Sequence, residues 1–127
     1  MSKIHDSKVL NYQIDFEYSK IYMKVENEQE KQVKIVFKDF FAFHFENQLP
    51  GSILFDIVEE NVDSFALENK DLLDKEKDYL WPMDYEYVEE LTNYIKENSY
   101  HYYKIYASYG LNGWILSKEV LFQEQNE

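Results

Sequence analysis

The amino-acid sequence predicts an α+β fold: an antiparallel sheet of about six strands with one or two helices packed on one face. Three observations predict it. Apolar residues recur with period two through the first 58 residues and again over the last 25 or so, the spacing of half-buried strands. Between these blocks, Tyr87, Val88, Leu91, Tyr94 and Ile95 form one stripe at helical spacing. Finally, 127 residues without an internal repeat or a linker are the length of one domain, 1–127.

The strands can be taken in order. Leu10, Tyr12, Ile14, Phe16 and Tyr18 alternate with Asn11, Gln13, Asp15 and Glu17, and Ser19-Lys20 is the expected tight turn. Ile21, Met23 and Val25 continue as a second strand, closing a hairpin. After the charged loop Asn27 to Lys31, the residues Val33, Ile35 and Phe37 alternate with polar or outward positions. The same phase carries on through Phe41, Phe43 and Phe45, but Asp39 then falls on the apolar side. A β-bulge or an edge position near Asp39 resolves that conflict. Asn47 to Gly51 reads as a turn from its Pro-Gly pair, and Ile53, Phe55 and Ile57 mark a fourth strand.

The period changes after Asn61. Asp63 or Ser64 is suited to cap a helix running toward Tyr79. A gap in the apolar spacing at Glu68 to Lys70 divides it into two short pieces. Trp81-Pro82 interrupts the chain. A cleaner helix follows from Asp84 to Asn98-Ser99, with Glu86, Glu89 and Glu90 near its positive end. All five residues of its apolar stripe are expected to face the sheet. Tyr103, Ile105 and Ala107 form a fifth strand, Gly110 to Gly113 a hairpin turn built on Asn112-Gly113, and Trp114 to Phe122 a sixth. Residues 1–7 are expected to be a polar lead-in and 123–127 a frayed end.

Composition excludes several functions. The net charge is −12, from 25 acidic residues against 13 lysines, and Arg is absent. Nucleic-acid and anionic-lipid binding both need a positive surface, and Arg is the side chain that grips phosphate with two hydrogen bonds. The aromatic content, 18%, is far above that of a disordered acidic tail. No apolar run is long enough for a membrane span, and MSKIHDSKVL lacks the apolar core of a signal peptide. With no Cys there is no disulfide, thiolate metal site or thiol nucleophile. A cytoplasmic location is the expectation.

The chemistry-bearing residues form no motif. His5, His44 and His101 are not spaced as metal ligands on a helix. Three glycines cannot build a phosphate-binding loop or a nucleophile elbow. Asp39 and Asp56 are the carboxylates best placed by pattern to point inward, where burial would raise their pKa; an outward strand position or a turn explains each more simply. The expectation is therefore no catalytic residue, no metal and no cofactor, and a protein that is not an enzyme. Binding potential lies in the aromatics. Tyr102 and Tyr106 share a strand face with Lys104, whereas Tyr103 shares the core face with Ile105. Tyr and Trp mark interfaces because they supply large amphipathic contacts at low entropy cost. Tyr102, Tyr106, Trp81 and Trp114 are accordingly the candidate partner-binding residues. They are placed on or near a sheet face left uncovered by the helices and free for dimerisation or partner capture.

Three segments, His5-Asp6-Ser7, VKIVFKDFFAF (33–43) and SYGLNGWILSKE (108–119), give the chain a further character. In them it resembles the YxiG-like group of small uncharacterised bacterial proteins. The resemblance implies an immunity role beside a secreted polymorphic toxin. The expected function is thus an acidic, non-enzymatic inhibitor that occludes a basic toxin domain. The alternatives are an accessory or self-associating structural domain and, ranked below it, an unrecognised hydrolase.

Overall fold

The computed structural model describes residues 4–125. Six antiparallel strands, β1 (Ser7–Asp15), β2 (Lys20–Glu26), β3 (Gln32–Glu46), β4 (Ile53–Glu60), β5 (His101–Tyr109) and β6 (Asn112–Gln125), close into a barrel in the order β1-β2-β3-β6-β5-β4. Three short helices, α1 (Phe65–Glu68), α2 (Lys70–Glu76) and α3 (Val88–Glu97), fill the connection between β4 and β5. The seam of the barrel is narrow: β1 meets β4 only at Ser7↔Leu54 and Lys8↔Ile53.

Closure changes which face needs covering. Ile21, Met23, Val25, Val33, Ile35, Phe37, Leu54, Tyr103, Ile105 and Ile115 form the barrel interior and are almost wholly buried. The sheet covers this face by curling on itself. The helices pack instead on the outside, over the long β3–β6 pair and the start of β5. There Ala42, Phe65, Leu73, Leu91, Ile95, Tyr102, Trp114 and Leu116 make a second core. Alternation along β6 serves both cores, since Ile115 points in while Trp114 and Leu116 point toward the helices. The expectation that the helices cover the Tyr103–Ile105 face and leave the Tyr102 face open is therefore reversed.

The bulge near Asp39 is present, and it is compound. Asp39 has a left-handed backbone, φ 54°, and the β3–β6 register shifts between Phe40 and Ala42. Phe40, Phe43 and Phe45 consequently pack on the barrel interior, while Phe41 and Ala42 turn outward to the helices. Phe41 thus departs from the predicted phase. A second register shift, between Val9 and Asn11, puts Val9, Tyr12 and Ile14 inward and leaves Leu10 39% exposed.

Turn chemistry explains the remaining differences. The β1–β2 turn is Phe16 to Ser19 rather than Ser19-Lys20. Asp15 Oδ1 accepts hydrogen bonds from the backbone of Glu17 and Tyr18, each at 3.0 Å, and Ser19 takes the left-handed position at φ 55°. The β5–β6 turn is Gly110-Leu111, and Asn112-Gly113 already belongs to β6. Gly113 is required by the strand pairing. A Cβ there would lie 2.0 Å from the His44 carbonyl oxygen, so no other residue lets β3 and β6 approach. Leu111, with its N–H bonded to Ser52 Oγ at 2.9 Å, plugs the barrel end and is buried. β6 stays paired to Gln125, opposite Gln32, so the predicted fraying from Gln123 is not seen through Gln125. Asn126 and Glu127, like residues 1–3 of the lead-in, lie outside the described residues.

The helical connection breaks where the apolar spacing does, at Asn69. Its Nδ2 donates to the Phe65 carbonyl at 2.9 Å and to Tyr102 Oη at 3.3 Å. Ser64 takes the N-cap position of α1 as expected, though its side chain makes no cap bond; the side-chain cap lies one turn earlier, where Asn61 precedes the 3-10 turn Val62–Ser64 and accepts from the Asp63 N–H at 2.8 Å. In α3, Leu91 and Ile95 are fully buried. Tyr87, at the cap position, is 62% exposed, while Val88 and Tyr94 sit on the flank. A ten-residue helix resting on a curved barrel surface buries a narrower stripe than the five residues predicted.

Candidate functional site

Of the four candidate partner-binding residues, two are core. Tyr102 is 1% exposed and Trp114 4%; each packs edge-to-face on Phe65 with ring centroids 5.1 and 4.8 Å away. Tyr102 Oη donates to Glu68 Oε1 at 2.7 Å. Burial, then the Glu68 carboxylate, pushes its phenol far above the ordinary tyrosine range. Both are largely shielded while the helices stay in place, and what remains of their surface lines the cleft between α1–α2 and the β5–β6 side. Trp81 is half-buried, 6.0 Å from Trp114 between ring centroids. Tyr106 is 37% exposed, tethered to Glu60 at 3.2 Å and covered on its ring by Lys104. The structure thus separates the set into a buried pair and two residues at the margins of the helical layer.

Two clefts open where the helices meet the barrel. The first, about 770 Å3, lies between α1–α2 and the β5–β6 side. Its walls carry Lys70, Lys75 and Lys104 against Glu46, Glu68 and Asp71, a balance of charge unlike that of the whole chain. Most of these groups already have partners: Lys70 pairs with Asp74 at 2.8 Å, Lys104 with Glu68 at 3.6 Å, and His44 with Glu46 at 3.3 Å. The second, about 640 Å3, is apolar, lined chiefly by Phe16, Phe40, Phe41, Phe43, Leu72 and Trp81. Pattern reasoning missed Phe16 as a surface residue. Counted inside the first strand, it instead projects from the turn and is 74% exposed.

The three histidines are kept apart. His5 meets Phe55 edge-to-face, His44 bonds Glu46, and His101 bonds Glu59 at 2.7 Å. Among the described residues no group of three or more His, Cys, Asp or Glu side chains is placed to hold a metal ion. Asp39 is exposed, and Asp56 accepts a hydrogen bond from the following Ile57 N–H at 2.8 Å. Both therefore take the simpler of their two readings. No described helix is long and apolar enough to cross a membrane.

Charge is segregated along the chain. Residues 56–97 hold 14 of the 25 acidic residues and 4 of the 13 lysines, a net −10 of the total −12. Three of these carboxylates, Asp56, Glu59 and Glu60, belong to β4; the helical layer itself, 61–97, holds 11 acidic residues and 4 lysines, a net −7, and the rest of the chain −5, so the helical layer is the more acidic pole. Leu67, Tyr79, Leu80 and Tyr87, all in this layer, are between 58% and 79% exposed. No family model matches the chain, and no curated protein or solved structure is significantly similar to it.

Proposed function

We propose that the protein is a non-enzymatic, cytoplasmic binding protein that captures a basic protein partner, acting as an immunity-type inhibitor of a toxin domain. The observation that carries this reading is the acidic pole. Net charge −7 of the total −12 is gathered on the helical layer, 61–97, and that layer also exposes Leu67, Tyr79, Leu80 and Tyr87. Clustered carboxylates accelerate encounter with a positive surface, and aromatic contacts slow dissociation once docked. The resemblance to YxiG-like proteins, with its implied toxin neighbour, points the same way. The buried pair Tyr102 and Trp114 then serves as scaffold, positioning the helices that make the contact.

The test is affinity capture from the native host, with wild-type protein and a variant carrying Asp78→Asn, Asp84→Asn, Glu86→Gln and Glu89→Gln. The expected result is one basic protein, toxic when expressed alone, retained by wild type and lost or weakened with the variant. Partners that are neutral or acidic, or capture indifferent to the four substitutions, would refute the reading.

A further inference from the structure

We infer that the overhanging edge of β6 pairs with the same edge of a second copy of this chain, joining two barrels into a symmetric dimer. This does not depend on the function proposed above. It starts from the stagger of the barrel. β5 pairs with β6 only as far as Ser117, while β3 pairs with it up to Gln125. Residues 118–125 therefore have a strand on one side and, among the described residues, none on the other. Such an edge presents backbone donors and acceptors that template a further strand. No Pro interrupts 118–125, and its register with β3 is unbroken from Glu119 to Gln125. Its middle is Val120-Leu121-Phe122, with charge only toward the ends, and Phe122 is 48% exposed. The other overhangs are covered or charged. β1 runs beside the 47–52 loop, bonded to it through Val9 N–H to the Ser52 carbonyl and Tyr12 Oη to Gln48. Beyond Leu54, β4 carries Asp56, Glu59 and Glu60, and His5 lies against Phe55.

The sequence of the edge is self-complementary in one register, and this selects a second copy as occupant. A two-fold axis perpendicular to the sheet sets one residue opposite its own copy. With Leu121 on the axis, Val120 falls opposite the partner's Phe122, Glu119 opposite Gln123, and Lys118 opposite Glu124. Apolar then meets apolar on both faces of the joined sheet. On the outer face the row Tyr22, Val36, Leu121 continues into the same row of the copy. On the barrel face Ile35 and Phe122, already opposite each other, meet Val120 and Phe37 of the partner subunit. Placing Val120 on the axis instead opposes Leu121 to Glu119 and Phe122 to Lys118; placing Phe122 there opposes Val120 to Glu124. Cross-strand pairs of these kinds decide between registers. The charge of −12 on each chain opposes association, but salt at physiological strength screens it beyond about 8 Å.

The experiment is sedimentation velocity on the full-length protein, joined to cysteine cross-linking. Wild type should form a reversible dimer that tightens as salt rises. The chain has no Cys, so single cysteines report the register. Leu121→Cys lies opposite its own copy, where Cα atoms about 4.5–5.5 Å apart suit a disulfide, and should cross-link on mild oxidation. Glu119→Cys and Gln123→Cys each stand about 13 Å along the strand from their own copy; alone they should stay unlinked, and mixed they should link. Leu121→Lys sets two ammonium groups on the axis and should weaken the dimer about tenfold or more. Reduced Leu121→Cys, with wild-type circular dichroism, keeps the test readable if the lysine variant does not fold. A wild type that is monomeric at every soluble concentration would overturn the proposal, as would Gln123→Cys linking alone as fast as Leu121→Cys. A dimer that weakens with salt, or that ignores Leu121→Lys, has its contact elsewhere and overturns it too. A monomer that captures a different protein through this edge, and loses it with Leu121→Lys, would make that protein the occupant and equally overturn the proposal.

Discussion

Replacing Tyr102 separates scaffold from interface. The side chain is 1% exposed, wedged between Phe65 and the outer face of the sheet. A buried aromatic of this size removes roughly 150–250 Å2 from water. At about 25 cal/mol per Å2 that is worth about 4–6 kcal/mol, close to the 3–5 kcal/mol typical of a large aromatic truncated to Ala. Tyr102→Ala should therefore cost about 4 kcal/mol. Tyr102→Phe keeps the ring and loses the hydrogen bonds to Glu68 and Asn69. The Glu68 carboxylate is 38% exposed and can turn to water, so the loss should be only about 1 kcal/mol. Tyr106→Ala, at a half-open site, should cost about 1 kcal/mol or less. Urea denaturation followed by tryptophan fluorescence gives all three values. Equal and small effects for Tyr102→Ala and Tyr106→Ala would refute the inversion of the two sheet faces.

Three further outcomes follow from the packing. Tyr103 is pushed up to about 12 by burial and by Glu59 and Glu119, and Tyr102 is raised further. The folded state thus holds protons that the unfolded chain releases near pH 10; stability from these groups should be intact below about pH 10 and fall as pH rises above it. Absorbance titration at alkaline pH should show a late-ionising fraction of tyrosines that vanishes on unfolding. Gly113→Ala drives a Cβ into the His44 carbonyl oxygen and should destabilise by about 3 kcal/mol or more, whereas Gly51→Ala, strained only in φ, should cost about 1 kcal/mol; thermal melts compare them. Leu91→Ala should cost about 2–5 kcal/mol and Tyr87→Ala, exposed at the helix cap, less than about 0.5 kcal/mol; equal losses in denaturant would show that α3 presents another face.

The strands were legible in the sequence because period two is a local property. Side-chain alternation places Met23, Ile35, Phe37, Tyr103 and Ile105 on one face whatever the sheet later does, and all of them line the barrel. The break at Asn69, the end of α3 at Asn98-Ser99 and the irregularity at Asp39 were likewise written in spacing and polarity. Register shifts at Leu10 and Phe41 were not, since a bulge moves a residue across the sheet without altering composition. Nor was closure. Whether six strands stay open or curl depends on pairing between Ser7–Lys8 and Ile53–Leu54, residues about 45 apart whose meeting is a matter of twist and shear. That one seam decided the rest. With the inner face sealed by the barrel itself, the helices were left to cover the outer one, and Tyr102 and Trp114 became core. The charge and its concentration in the contiguous stretch 61–97 needed no fold to be counted, but only the tertiary structure laid that stretch over the outer face of the barrel and set Phe16 beside Trp81.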